Sequence, residues 1–248
     1  KKPFYRIHAH TNPLADKAFE YPVRPELMDW NSIFPTTTTA TTKTKEPDIV
    51  DVGCAWGGLI IELSKKFPEH FILGLEIRER VAEFTRERIQ KLRSDFEASS
   101  TTTTTTTTGG GEQVRDFKNV NALVCNCMKS MPNFFRGGQI EKLFFTFPDP
   151  HFKKCKQRRR IINPTLLSEY AFVMKDGGLL YTITDVEDLF RWMTSCLDSH
   201  PLFRRLTDAE IDADPCVELI RNSTEEAKKV ERNKGLKFPA VYRRIPRL

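Results

Sequence analysis

One carboxylate between two prolines, followed at once by cations, is the group of residues most suited to chemistry. Residues 143–160 are LFFTFPDPHFKKCKQRRR, an apolar strand that ends at Pro148-Asp149-Pro150 and continues into His151. Each proline fixes its own φ and lacks an N–H donor, so Asp149 is predicted on a stiff loop. Such an acid beside a cationic patch suits a site that binds a polyanion by its phosphates and positions one group of it. Two simpler interpretations stay open, an ordinary turn at PDP and a solvated charged surface after it.

The charge distribution favours a nucleic-acid partner. The net charge is +6, and residues 153–160 contain six cations, so the rest of the chain sums to zero (6 − 6 = 0). A basic excess confined to one segment is typical of a nucleic-acid contact rather than of general basicity. The six cations are Lys153, Lys154, Lys156, Arg158, Arg159 and Arg160.

Length and composition predict one soluble α/β domain over residues 1–248, with 39% hydrophobic and 29% charged residues. The six cysteines include no CxxC pair, and the lone Cys125-x-Cys127 is a weak zinc signal, so we expect reduced thiols in an intracellular protein. No apolar stretch reaches the length of a membrane span, and no signal peptide is visible. Two threonine-rich tracts predict low-complexity insertions in surface connections, at 36–45 and 99–112.

Apolar runs alternate with helical patterns along the chain. Strands are predicted at 48–52, 71–77, 122–125, 143–147 and 179–184, and helices at 59–66, 81–93 and 164–174, the last stopped by Gly177-Gly178. This alternation is typical of a Rossmann-like α/β fold, a mostly parallel sheet with helices on both faces.

The turn after the first strand predicts a nucleoside-cofactor site. It contains Gly53, Gly57 and Gly58, where a cofactor can approach the backbone. Glu76 follows Gly53 by 23 residues and closes the second strand, the place of an acid that binds ribose hydroxyls. Dinucleotide and S-adenosylmethionine sites share this layout. The absence of GxGxxG favours S-adenosylmethionine.

Several ordered motifs together resemble one family. DVGCAWGG, LGLEIR, NCMKSMPNFF, FFTFPDPHFK, LLSEYAFVMKDGG, YTITDV and NSTEEAKKVERNKG resemble the catalytic subunit of tRNA (guanine-N7-)-methyltransferases, and AHTNP and YPVRPELMDW resemble its eukaryotic form. The resemblance runs from about residue 4 to residue 244. It implies a class I S-adenosylmethionine-dependent methyltransferase that methylates N7 of guanosine 46 in the tRNA variable loop. It also implies a WD-repeat β-propeller partner and a nuclear location.

The resemblance also implies roles for individual residues. Asp149 takes the catalytic position, and residues 1–35 form an arm that reaches the active site and touches RNA. The cofactor-binding set is Gly53, Glu76, Ile77, Arg78, Asn126, Cys127, Thr146, Thr224 and Glu226. The RNA-binding set is Arg6, His8, His10 and Asn12 in the arm, with Lys153, Lys154, Arg158, Arg159 and Arg160 as phosphate contacts.

Chemistry refines the role of Asp149. Guanine N7 carries a free lone pair at neutral pH, so the reaction needs placement rather than a strong base. We therefore expect Asp149 to accept hydrogen bonds from the Watson–Crick edge of the guanine, and we expect the base to leave its stack.

Two departures from the family pattern leave alternatives open. Glycine is usual where Ala55 stands, and a Cβ at positive φ costs about 1–2 kcal/mol. A basic residue is often found where His8 stands. The alternatives are an RNA-binding pseudoenzyme with an impaired cofactor site, and a Rossmann oxidoreductase or small-molecule methyltransferase. Retention of Glu76, Asn126, Asp149 and residues 224–226 counts against the pseudoenzyme, and the basic run and the missing GxGxxG count against the oxidoreductase or small-molecule methyltransferase.

Overall fold

One twisted sheet organises the chain. The computed structural model describes residues 11–15, 19–35, 45–102 and 115–247. Within them seven strands pair in the order β3-β2-β1-β4-β5-β7-β6. Their bounds are β1 Ile49–Val52, β2 Ile72–Glu76, β3 Val120–Val124, β4 Ile140–Thr146, β5 Met174–Thr184, β6 Phe203–Arg205 and β7 Phe238–Arg244.

The direction of the strands confirms the predicted fold. β3, β2, β1, β4 and β5 run parallel to their neighbours, with Val52 of β1 beside Leu75 of β2 and Phe145 of β4. β7 lies antiparallel between β5 and β6. The carboxyl ends of β1, β2 and β4 therefore meet at one edge of the sheet, where ligands bind in open α/β sheets.

Helices cover both faces, as predicted. The helices of the described residues are α1 Trp30–Ile33, α2 Gly58–Lys66, α3 Glu79–Thr102, α4 Cys127–Phe134, α5 Pro164–Val173, α6 Glu187–Asp198, α7 Asp208–Asp212, α8 Pro215–Asn222 and α9 Glu225–Arg232, with 3-10 helices at Pro25–Leu27 and Lys154–Arg159. One apolar cluster joins the sheet to α4, α5 and α6. The other joins it to α2, α3 and α8.

Alternation along the strands explains the two clusters. Val50 and Val52 of β1 belong to the cluster with α4, α5 and α6, whereas Ile49 belongs to the one with α2, α3 and α8. Successive side chains of a strand point to opposite faces, so a strand covered on both sides is apolar throughout. This is why the predicted strands appear as continuous apolar runs.

Two boundaries differ from the sequence prediction. α3 runs to Thr102, beyond the predicted end at residue 93 and into the predicted insertion 99–112. Gly177 and Gly178 stop no helix, because α5 already ends at Val173 and β5 passes through both glycines. Gly177 has φ +81, and the pairing of β5 with β4 shifts register over this stretch. In the described part of the chain, no helix has the length and apolar character of a membrane span.

Candidate active site

The glycine turn leaves β1 at the ligand-binding edge of the sheet. The Gly53 N–H donates to the Leu75 carbonyl at 2.7 Å, which ties the turn to the end of β2. Gly53 has φ +80, and a Cβ added there would meet nothing within 4 Å. The turn therefore presents bare backbone to open space, as a cofactor's close approach requires.

Ala55 occupies a conformation that favours glycine. Its φ is +46. Its N–H donates to Glu76 Oε2 at 3.1 Å, and its carbonyl accepts from Thr85 Oγ1 at 2.6 Å. Both backbone groups are thus held in place, which stabilises the turn against the cost of the Cβ. The structure confirms the positive φ that the sequence analysis considered for this position. The turn keeps both backbone hydrogen bonds with alanine in place of glycine.

Glu76 is buried at the end of β2 and is surrounded by donors. Oε1 accepts from the Arg78 N–H at 2.9 Å and from Arg78 Nε at 3.0 Å. Oε2 accepts from Arg78 Nη2 at 2.9 Å and from the Ala55 N–H. Burial alone would lower the pKa of Arg78, but these hydrogen bonds and the charge of Glu76, with a further contribution from Asp149, raise it. The charge of Arg78 therefore interacts with both the predicted cofactor-binding acid, Glu76, and the predicted catalytic acid, Asp149.

Asp51 is a buried carboxylate that sequence reasoning missed. It is 1% exposed in β1, and neither carboxylate oxygen has a hydrogen-bond partner in the described part of the chain. Burial, and secondarily the charge of Glu76, raise the pKa of Asp51 to about 8. An unpartnered buried carboxylate at a ligand-binding edge indicates a place for a cationic group or a donor. The signal in the sequence was its place beside the glycine turn in an otherwise apolar strand.

Asn126 and Cys127 start α4 beside the end of β3. Asn126 caps the helix through Oδ1 and donates from Nδ2 to the Pro13 carbonyl at 2.7 Å. The Lys129 ammonium donates to the Ala15 carbonyl at 2.9 Å. Pro13 and Ala15 of the N-terminal arm therefore lie against the start of α4, which carries the predicted cofactor-binding residues Asn126 and Cys127.

Only part of the predicted arm lies within the described residues. Asn12 is exposed and opens a turn, since the Ala15 N–H donates to its carbonyl. Arg6, His8 and His10 lie outside the described residues.

The loop with Asp149 is bracketed by two strained residues. Phe147 and His151 have φ +48 and +44. Such values in residues with a Cβ persist only where the surroundings enforce them, and they concentrate at functional sites. The Phe147 N–H donates to Ile183 of β5 at 2.8 Å, and Thr146 directly before it ends β4. The loop is thus stiff, as the two prolines predict.

Arg160 differs from its expected role as a phosphate contact. It is 5% exposed, its Nε donates to the Pro150 carbonyl at 2.9 Å, and its guanidinium lies 4.8 Å from the centroid of the Trp192 ring. Burial lowers its pKa. Its contacts are with the protein, so Arg160 braces the loop of Asp149 instead of facing solvent. Sequence alone could not separate it from its exposed neighbours in the same basic run.

The other predicted cations form a surface beside this loop. Lys153 precedes the 3-10 helix, Lys154 and Arg158 lie on it, and all three are exposed. Arg159 is half-buried, and its Nε has no hydrogen-bond partner in the described part of the chain.

The C-terminal segment packs against the glycine turn. A Cβ on Gly58 would lie 2.4 Å from the Ser223 carbonyl oxygen, so the two backbones touch. Thr224 caps α9 by accepting from the Ala227 N–H at 2.9 Å, and Glu226 pairs with Lys229 at 2.8 Å. The structure brings Thr224 beside the predicted cofactor turn and leaves the Glu226 carboxylate in a partly exposed surface pair.

Arg88 links the same two segments. Its Nη1 donates to the Trp56 carbonyl at 2.8 Å and lies 3.7 Å from Glu225 Oε1. This residue, absent from the sequence-based site, holds α9 and the turn together.

One further group in the described residues could hold a metal ion. Ligand atoms of Asp48, His70 and Glu141 lie within 4.8 Å of one another. Asp48 precedes β1, so the group lies at the opposite edge of the sheet from Asp149 and takes no part in this site.

The strand order, the glycine turn after β1 and the acid at the end of β2 together define a class I methyltransferase fold. Residues 45–240 match the family model described as "Putative methyltransferase". The tRNA (guanine-N(7)-)-methyltransferase of Eremothecium gossypii is 48% identical over 99% of this chain and 83% of its own length. That of Caenorhabditis elegans is 46% identical over 99% of this chain and 89% of its own. The chain belongs to the tRNA (guanine-N(7)-)-methyltransferase family.

Solved structures resemble the chain more distantly. A geranyl diphosphate methyltransferase in complex with SAM has a TM-score of 0.47 and 16% identity, over 82% of this chain and 80% of that one. An antibiotic-related methyltransferase has a TM-score of 0.46 and 15% identity, over 86% and 100%.

Proposed function

We propose that this enzyme transfers a methyl group from S-adenosylmethionine to N7 of a guanine in tRNA, guanosine 46 of the variable loop. One observation carries the proposal. The open glycine turn, the buried Glu76 and the stiff loop of Asp149 share one edge of the sheet, with exposed cations directly after that loop. A cofactor pocket beside a cationic surface suits methyl transfer to an RNA.

The residues present fit S-adenosylmethionine. The open space at Gly53 leaves room for part of the cofactor beside the backbone, and the carboxyl group of Asp51, which has no hydrogen-bond partner among the described residues, could bond to a polar group of it. Both oxygens of Glu76 already accept two hydrogen bonds each, so ribose hydroxyls would take over those from Arg78. Ile77, Asn126, Cys127 and Thr146 would flank the remainder, and Thr224 and Glu226 would close the methionine end. The cofactor supplies an electrophilic methyl group.

Asp149 positions the guanine in this mechanism. The base presents N1–H and its exocyclic amine to the carboxylate, which selects guanine and aims N7 at the methyl group. No proton needs to be removed before attack, because N7 is already a free nucleophile. Strained backbone at Phe147 and His151 and the brace from Arg160 fix the carboxylate, as in-line placement demands.

The cationic surface holds the RNA in this proposal. Lys153, Lys154, Arg158 and Arg159 contact phosphates, which gives affinity with little reading of sequence. The arm is proposed to add RNA contacts from Arg6, His8, His10 and Asn12. The contacts of Pro13 with Asn126 and of Ala15 with Lys129 support a role of the arm at this site.

A WD-repeat β-propeller subunit is proposed as the partner, and the nucleus as the location. Exposed apolar side chains are consistent with a protein partner. Phe172 on α5 is 56% exposed, and Val23 and Leu27 before α1 are 80% and 58% exposed.

Methylation of defined transcripts tests the function. The chain, alone and with the β-propeller subunit, is incubated with labelled S-adenosylmethionine and tRNA, and with the same tRNA carrying 7-deazaguanine at position 46. We expect label in the first RNA and none in the second. Equal labelling of both would contradict the assigned atom and position, and label in neither would contradict the activity.

A further inference from the structure

A cavity opens beside the 3-10 helix that follows the loop of Asp149, and none of the residues that line it is assigned to the cofactor. Its volume is about 500 Å³, within the range of ligand sites of roughly 300–1,000 Å³. Met128, Leu166 and Trp192 give it apolar walls, and Gln157, Arg158 and Thr165 give it a polar rim. It opens between the 3-10 helix, the start of α4 and the start of α5.

Arg160 connects the wall of the cavity to the loop that carries Asp149. Arg160 donates to the Pro150 carbonyl and packs its guanidinium on the Trp192 ring. Trp192 is itself oriented by its Nε1, which donates to the Ile162 carbonyl at 2.9 Å. A group resting on Trp192 therefore lies one side chain away from the loop that carries Asp149.

The rim has hydrogen-bonding capacity to spare. The neighbouring Asn163 amide is engaged, since Oδ1 accepts from Leu166 N–H and Nδ2 donates to the Arg160 carbonyl. The side chains of Gln157, Arg158 and Thr165 make no hydrogen bond to any described residue, and Arg158 and Thr165 are exposed. Apolar walls that include an indole, with an amide and a guanidinium at the mouth, match a nucleobase and its phosphate.

We propose that this cavity receives one unpaired nucleotide of the tRNA, close in sequence to the methylated guanosine. The base packs against Trp192 and Met128, Gln157 bonds its edge, and Arg158 contacts its phosphate. The exposed cations Lys153, Lys154 and Lys156 lie on or directly before the 3-10 helix that also carries Gln157 and Arg158, and they supply the matching charge. This inference rests on the proposed function, and the bound nucleotide would keep the guanosine in register with Asp149.

Filling the cavity tests the proposal. Thr165→Trp adds an indole at the rim, and Ser168→Trp adds one on an exposed position of α5 outside the cavity. Substrates are intact tRNA and tRNAs with one abasic nucleotide on either side of the guanosine. We expect kcat/KM of Thr165→Trp to fall about tenfold, the scale of one base–aromatic stack, and that of Ser168→Trp to stay unchanged. One abasic tRNA should cost the unmodified enzyme the same factor and cost Thr165→Trp nothing more.

The outcomes are separable. Equal kcat/KM for the two tryptophan variants, or an abasic penalty that adds fully to that of Thr165→Trp, overturns the proposal. Gln157→Ala allows the same comparison of intact and abasic tRNA without adding volume to the cavity. Its kcat/KM should fall a few-fold on intact tRNA and should not fall further on the abasic tRNA. Thermal unfolding and S-adenosylmethionine affinity of all variants should match the unmodified enzyme. An unmodified enzyme that methylates intact tRNA at N7 keeps the proposed function whatever the cavity variants do, and one that does not overturns both.

Discussion

Replacing Ala55 by glycine should stabilise the protein, against the usual effect of such a change. The Cβ at φ +46 costs about 1–2 kcal/mol, which glycine removes. Glycine also frees the unfolded chain, which costs about 0.4–1 kcal/mol. The net gain is about 0.5–1 kcal/mol, a rise in Tm of roughly 1–4 °C for a chain of this size. Both hydrogen bonds of the residue use backbone atoms and survive the change.

The assay compares two alanines. Urea unfolding and calorimetric Tm are measured for Ala55→Gly and for Ala209→Gly, an exposed position in the ordinary helix α7. The helix variant should lose about 1 kcal/mol, so the two changes should have opposite signs. Destabilisation of both by similar amounts would refute the reasoning. Titration calorimetry with S-adenosylmethionine on the same samples should show binding by the unmodified chain and up to about tenfold tighter binding by Ala55→Gly. Binding only in the glycine variant would favour the pseudoenzyme.

Three further changes probe the acids and the cations. Asp149→Asn puts a donor where an acceptor is needed, so kcat/KM on tRNA should fall roughly 10- to 150-fold; an unchanged rate in a methyl-transfer assay would exclude the positioning role. Because the pKa of Asp51 rises from 3.8 to about 8, the folded protein holds a proton that the unfolded chain releases, and stability falls as pH rises through that window. The free energy of unfolding of Asp51→Asn, measured in urea relative to that of the unmodified protein, should therefore increase by about 1 kcal/mol or more from pH 5 to pH 8. A difference between the two proteins that does not change with pH would count against the raised pKa. Joint replacement of Lys153, Lys154 and Arg158 by alanine should flatten the salt dependence of tRNA binding by roughly 2–3 in log–log slope; filter binding over a salt series checks this, and a parallel line would mean no phosphate contacts.

The sequence predicts what depends on local pattern. The apolar run of β1, the glycine turn and an acid at the end of β2 each follow from neighbours in the chain, and the structure contains all three. Gly177 was misinterpreted because a helix stop and a strand with positive φ both use glycine. The residue at which β5 begins depends on the pairing of this strand with β4, and no local signal in the sequence specifies that pairing.

Burial explains the two site residues that sequence reasoning misjudged or missed. Arg160 belongs to a run of like residues, and only the tertiary position of Trp192 and Pro150 shows that it faces inward. Asp51 resembles any polar residue near a strand end until both faces of β1 are covered. A side chain's partners from distant elements cannot be derived from its own segment.

The place of β7 has a consequence for synthesis. Residues 238–244 insert between β5 and β6, so the sheet cannot close until almost the whole described chain has left the ribosome. Until then β5, eleven residues long and mostly buried in the finished protein, presents an open apolar edge. Such edges pair with other chains. Nascent or truncated forms that stop before residue 238 should therefore depend on chaperones. They should do so although Asp149 and every residue assigned to the cofactor have already been made.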